Sequence, residues 1–306
     1  MNQLMLQDGI HYLKINGIMH WCKVAGTAHN TVPLIIVHGG PGGNHYVFER
    51  TLGLKLEGNM TVVYYEQRGC GRSEAPQDDG EYSINTLVED LEELRKQLHV
   101  EKINLLGYSF GGQLCLEYAL KYPKNVEQMV LQAPSLDDFN DMYTVQIEGF
   151  LQVTKGEMKE QILIISKSEI PLKERYNQVW SIVDTKAVDR LLFKNEEFAK
   201  LNRRFWEESQ LSNTGKMSKV IFGTKASLPL IERIKGLEID TCVIVGAHDY
   251  NTGVGMSYRI TRQLKNGKLV IFENSGHFPD IEEMDKVCET IIEFLEQKGD
   301  IKVEPN

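Results

Sequence analysis

The sequence predicts an α/β fold: a mostly parallel central sheet, opened by an antiparallel hairpin and interrupted by a helical insertion. Three observations carry this reading. Short apolar runs bounded by Gly or Pro recur along the chain, separated by segments of helical period, as in sheets buried on both faces by crossover helices. Two runs at the amino end are joined by Asn16-Gly17, the dipeptide a type I′ hairpin turn favours. Between residues 136 and 228 the strand rhythm stops and helical patterning with charge blocks takes over.

In order, residues 10–15 and 19–24 form the hairpin, alternating and rich in β-branched and aromatic side chains. Buried strands follow at 34–37, 61–65, 103–106, 129–133, 241–246 and 268–272. A helix over 85–98 carries Leu87, Leu91, Leu94 and Leu98 on one stripe, with Ser83 or Asn85 as its cap and Glu89, Asp90, Glu92 and Glu93 on the solvated side. A second helix over 114–122 leaves a glycine turn and stops before Pro123. The last, over 281–297, is acidic early and apolar at Val287, Ile291, Ile292 and Leu295, and gives way to a polar tail. The domain organisation expected is a core over 1–135 and 229–306, completed from both sides of a helical cap over 136–228. Set between two strands, such a cap covers the carboxyl ends, where these sheets bind ligands.

Composition narrows the function. The 306 residues are 42% hydrophobic and 25% charged, ordinary for a globular chain. The 34 basic and 43 acidic residues leave a net charge of -9, without the basic footprint a nucleic-acid backbone requires. The apolar runs fall far short of the ~20 residues of a membrane span. The first residues lack the charged start and apolar core of a signal peptide, so a cytoplasmic location is expected. Five scattered cysteines without C-x-x-C spacing predict reduced thiols rather than disulfides or a zinc site. Cys70 lies in a strand-end loop but is not expected to be catalytic. No metal and no organic cofactor is expected, and the partner is a small molecule or short peptide. Oligomeric state is left open.

The chemistry concentrates at strand ends. Strand 103–106 runs into Gly107-Tyr108-Ser109-Phe110-Gly111 and then a helix, the context of a G-x-S-x-G nucleophile elbow. Ser109 is the candidate nucleophile, held on a strained turn, and the backbone N–H of Phe110 faces a developing oxyanion. A serine needs a base, and the base an acid to hold its tautomer. Strand 241–246 leads to Asp249 and strand 268–272 to His277, giving the order Ser, Asp, His. Asp137 or Asp138 is the rival acid and His248 the rival base. The loop after strand 34–37, His38-Gly39-Gly40-Pro41-Gly42-Gly43, supplies a second oxyanion donor from Gly40; His38 itself reads as a loop brace. Neither a P-loop nor a dinucleotide fingerprint occurs in this loop, which argues against nucleotide binding.

Together these features resemble the α/β-hydrolase superfamily and, within it, the proline iminopeptidase group of serine peptidases. The resemblance rests on His38-Gly39-Gly40-Pro41-Gly42, on Tyr65-Glu66-Gln67-Arg68-Gly69-Cys70-Gly71-Arg72-Ser73, on the elbow and on Gly276-His277. Glu66 stands where the group carries Asp. The resemblance implies an α/β-hydrolase fold and an acyl-enzyme aminopeptidase that releases an N-terminal residue, with cap carboxylates holding the substrate's α-amine. Arg204-Phe205-Trp206-Glu207 resembles the group's W-E element, making Glu207 the candidate anchor beside Glu208 and Trp206; a solvated helix face is the competing reading of the two glutamates. The group's second acidic cap element has no counterpart around 220–224. An esterase, lactonase or non-peptide amidase with the same triad is the alternative, and a non-catalytic binding protein on this scaffold a third.

Overall fold

The structure is a computed structural model that describes residues 7–137, 139–211, 215–224 and 226–296. Residues 1–6, the rival acid Asp138 and the polar tail from Gln297 onward lie outside the described residues. Strands β1 (Gly9–Ile15) and β2 (Ile18–Ala25) form the expected hairpin, closed by Asn16 and Gly17, both at positive φ. β3 (Leu34–Val37) is followed by short helices α1 (Tyr46–Arg50) and α2 (Leu52–Glu57), and then by β4 (Val62–Tyr65). Helix α3 (Ile84–Gln97) is capped by Ser83, whose side chain accepts from the Thr86 N–H. β5 (Ile103–Tyr108) leads into α4 (Phe110–Lys121), which begins several residues before its expected start, and then into β6 (Val126–Gln132).

Six helices follow without a strand among the described residues: α5 (Phe139–Val153), α6 (Gly156–Ser166), α7 (Leu172–Ile182), α8 (Thr185–Leu192), α9 (Glu196–Ser209) and α10 (Lys216–Gly223). Four of them share a cluster of their own, built on Ile147, Phe150, Ile162, Val179, Ala187 and Leu191. Helix α11 (Leu230–Arg233) returns the chain to β7 (Asp240–Gly246), α12 (Val254–Gln263) and β8 (Gly267–Phe272). The terminal helix expected as one piece is two, α13 (Pro279–Glu282) and α14 (Met284–Glu296). Glu283 leaves helical geometry between them. The break has a physical reason: it lets both Glu282 and Glu283 accept from the preceding loop, at the N–H groups of Gly276 (2.6 Å) and Asn274 (2.8 Å).

The sheet has eight strands in the order β1-β2-β4-β3-β5-β6-β7-β8, antiparallel through β4 and parallel beyond. Alternation along β3 explains its wholly apolar sequence. Ile35 and Val37 enter one core with α3 and α4, while Leu34 and Ile36 enter a second with Phe48, Leu52 and Val287. The chain leaves β3 toward β4 and returns to β5 on the other side, so a topological switch lies between β3 and β5. Ligands bind at such a crevice, outside the carboxyl ends. Val37 pairs with Gly107 there, which brings the glycine loop beside the elbow.

The arginine-rich stretch after β4 braces this end. Buried Glu66 accepts from Arg72 (3.0 Å), whose guanidinium also reaches Glu49 (2.6 Å) and lies over the Trp21 ring. Arg68, fully buried, makes a two-pronged bond to Asp90 of α3 at 2.7 Å each. Asp90 and Glu92, expected on the solvated side of this helix, are therefore buried, Asp90 by Arg68 and Glu92 by Tyr118 and Asn125. All five cysteines are buried and unpaired, and burial pushes Cys22 up to about 12 and Cys242 to about 11.

Candidate active site

Ser109 sits between β5 and α4 with φ 55° and ψ -122°, a conformation costing a non-glycine residue on the order of 1–3 kcal/mol. Its neighbours enforce it. A β-carbon on Gly111 would lie 2.0 Å from the Val37 carbonyl, and one on Gly107 would lie 2.4 Å from the Gly111 carbonyl. Only glycine lets α4 approach the sheet this closely. The Ser109 N–H donates to Gln132 (2.9 Å) and its carbonyl accepts from Ser135 (3.1 Å), locking the turn to the end of β6.

Asp249 and His277, from the loops after β7 and β8, meet. His277 Nδ1 lies 3.2 Å from each carboxylate oxygen of Asp249. The His277 N–H donates to the Leu192 carbonyl at the end of α8 (2.7 Å), which pins this loop. Asp249 is buried, yet accepts further bonds from Thr252 Oγ1 (2.8 Å) and the N–H groups of Asn251 (2.8 Å) and Thr252 (3.1 Å). Burial pushes its pKa up, but His277 and these donors outweigh burial and hold the carboxyl below its ordinary value. His277 Nε2 is engaged by Asn251 Nδ2 at 3.1 Å. Ser109 Oγ makes no hydrogen bond to a described residue.

Ser109 and His277 share the wall of one cavity of about 250 Å³, roofed by Leu192, Asn202 and Trp206 from the helical segment. Gly40, at φ 127°, lines it. Gly39 is close enough that a β-carbon there would stand 3.0 Å from Ser109 Cβ. Phe110 opens α4, so its N–H has no acceptor within the helix. His38 lies behind the loop, fully buried, its Nε2 accepting from the Gln67 N–H (3.0 Å). Burial pulls its pKa below the ordinary histidine value.

The carboxylates expected to hold an amine are elsewhere. Glu207 and Glu208 are exposed, neither lines the cavity, and Glu208 pairs with Arg204 at 3.6 Å. Helix rotation is the reason: Asn202 and Trp206, four apart on α9, face the cavity, and the next two positions turn away from it. Asp137 accepts from the Leu230 N–H (2.8 Å) and Arg233 Nη2 (3.3 Å), bracing α11. His248 opens on a different depression, with Lys194 and Tyr250.

Among the cavity residues that belong to no sequence motif, two are polar and close in sequence to Asp249 and His277. Asp280, three positions after His277 at the start of α13, is a buried carboxyl on the cavity wall, accepting from Gln132 Nε2 at 2.6 Å. Burial pushes its pKa up from 3.8 to about 6, with Gln132 and His277 opposing. Asn251, two positions after Asp249, is the other. Proximity to strand-end site residues is the only signal that pointed to either.

A strained serine turn between strand and helix, at the switch point of a mostly parallel eight-stranded sheet, is an architecture shared by a class of enzyme folds. The chain belongs to the α/β-hydrolase family, whose model, described as alpha/beta hydrolase fold, matches residues 32–283, and it is a hydrolase. It is similar to proline iminopeptidases: 31% identical over 299 residues to that of Saccharolobus solfataricus (94% of this chain, 92% of the relative). To that of Lactobacillus delbrueckii subsp. lactis it is 26% identical over 290 residues (93% and 97%). Among solved structures, a proline iminopeptidase-related protein from Thermus thermophilus superposes with a TM-score of 0.78 at 24% identity, covering 94% of this chain and 97% of that one. Among the described residues no helix is long and apolar enough to cross a membrane.

Proposed function

We propose that the chain is a serine hydrolase that works through an acyl-enzyme, and that it acts as a proline iminopeptidase-like aminopeptidase on small peptides. The observation that carries the reaction class is the strained Ser109 sharing a cavity wall with the His277–Asp249 pair. Ser109 Oγ attacks the scissile carbonyl while its proton passes to His277 Nε2. Asp249 keeps the proton on Nδ1 and stabilises the imidazolium. The N–H groups of Phe110 and Gly40 receive the oxyanion. Collapse breaks the C–N bond, the leaving amine takes the proton from His277, and water then releases the acyl group by the same path. In this reading the helices over 136–228 are a cap that closes the cavity.

For an aminopeptidase the cavity must hold a cationic α-amine, and the carboxyl placed to do so is Asp280 rather than Glu207. The peptidase names of the relatives support the same substrate class. The exposed position of Glu207 and Glu208 favours a second reading, an esterase, lactonase or non-peptide amidase that needs no amine. A panel of aminoacyl arylamides with free and blocked amino termini beside short acyl esters decides between them. The aminopeptidase reading requires strong preference for the free amine, and equal handling of free and blocked substrates overturns it.

A further inference from the structure

A line of hydrogen bonds runs from the helical segment to the imidazole of His277. Trp180 Nε1 of α7 donates to Gln146 Oε1 of α5 (3.0 Å). Gln146 Nε2 donates to Asn251 Oδ1 (2.8 Å) and Asn251 Nδ2 to His277 Nε2 (3.1 Å). His277 Nδ1 donates to Asp249 (3.2 Å). The direction of every bond is forced from both ends. An indole N–H can only donate and a carboxylate can only accept. Two amides and one imidazole between them therefore have a single consistent orientation, in which Nε2 of His277 is an acceptor with its lone pair occupied by Asn251. Gln146, at the centre, is 3% exposed, so water does not compete with the line there.

That lone pair is the one that must take the Ser109 proton. Resting on the serine-hydrolase reading above, we propose that Asn251 is a positioning residue that holds His277 Nε2 until a substrate carbonyl in the cavity accepts the Asn251 amide. Gln146 and Trp180 fix which way that amide faces. Asn251 lines the cavity beside Ser109, so a carbonyl bound there competes for the same N–H and frees the base. The base is thereby released by substrates that carry a correctly placed acceptor, and the helical segment contributes to the proton transfer without touching the reacting atoms.

The test uses the whole chain and two reagents. Phenylmethanesulfonyl fluoride bears no amide carbonyl; its reaction forms the S–O bond to Ser109 Oγ, sends the Oγ proton to His277 and expels fluoride. Asn251→Ala, with the lone pair uncovered, should label about fivefold faster, the rate equivalent of one ordinary hydrogen bond. On an aminoacyl arylamide, whose carbonyl takes over the Asn251 N–H in the wild type, the gain should vanish, and the variant's kcat/KM should not exceed that of the wild type. Gln146→Glu is isosteric but cannot donate to Asn251, so the Asn251 amide turns its oxygen toward Nε2; that acceptor holds a proton on Nε2, which can then no longer take one from Ser109, and labelling should slow at least about tenfold. Trp180→Phe removes the donor that sets the direction and should change labelling in the same sense as Gln146→Glu, by less. Labelling of Asn251→Ala at or below the wild-type rate overturns the proposal, as does a wild-type rate for Gln146→Glu. The imidazole ¹⁵N spectrum keeps the two readings apart. An unlabelled wild-type Ser109 defeats the serine-hydrolase reading, whereas a His277 Nε2 signal unmoved by Asn251→Ala defeats the Asn251 contact alone.

Discussion

At the scale of single residues the site is built from groups held in unfavourable states. Ser109 carries a β-carbon at φ 55°. Ser109→Ala keeps that strain and should fold as the wild type while losing at least about 10⁴-fold in kcat; wild-type turnover by this variant would remove Ser109 from the mechanism. Ser109→Gly relieves the strain and should unfold at higher temperature, by about 1 kcal/mol of added stability. Asp280 is the second such group. Its folded-state pKa lies above the ordinary 3.8, at about 6, so the fold binds its proton more tightly than the unfolded chain does. The associated stability is complete below 3.8 and is lost as pH rises through 6, a penalty of about 3 kcal/mol at neutral pH as an upper bound. Asp280→Asn, which still accepts from Gln132, should therefore raise the melting temperature at pH 7 and not at pH 4. It should also raise KM for free-amine substrates above pH 6 while sparing blocked ones. In the wild type KM for free-amine substrates should climb as pH falls through 6. A KM unchanged by the substitution would separate Asp280 from amine binding.

At the scale of elements, the contact of α4 with β3 decides whether the elbow forms. No side chain fits between Gly111 and the Val37 carbonyl, so Gly111→Ala must push the helix off the sheet. Overpacking of this kind costs about 3 kcal/mol, and the displaced helix start takes the Phe110 N–H with it. Denaturant midpoint and kcat should fall together. The helix after His277 shows a different principle, since its apolar period is continuous across Glu283 but the chain breaks there. Two glutamates bonding the loop of His277 outweigh one more turn of helix, and periodicity contains no record of that competition.

Across the whole molecule, the sheet is completed from both sides of a long helical excursion, and a buried ion pair ties its first half together. Arg68 and Asp90 are each 1% exposed, and Asp90 also accepts from Asn16 Nδ2 in the hairpin turn (2.9 Å). Asp90→Ala leaves the Arg68 charge buried without its main partner and should cost about 3–5 kcal/mol in a denaturant titration. A loss below about 1 kcal/mol would mean that Glu81, which reaches Arg68 at 3.0 Å, suffices. The helical segment has an apolar cluster of its own and touches the cavity through Leu192, Asn202 and Trp206, while Met217 and Ile221 of α10 join the core of the sheet.

The amino-acid sequence by itself determined the strands, the hairpin, a helical excursion ahead of the last two strands and the strand-end positions of Ser109, Asp249 and His277. Each of these is written in local period, turn chemistry or chain order, which sequence neighbours encode. The tertiary structure decided which side chains share a cavity with them. Trp206 faces it and Glu207 does not, because 100° of helix rotation separates the two and nothing local says how α9 is turned. Asp280 enters at the start of α13, held by Gln132 at the end of β6, and Asn251 is met by Gln146 of α5. Facing and adjacency between segments distant in sequence depend on how rigid elements pack, and packing is a property of the folded whole.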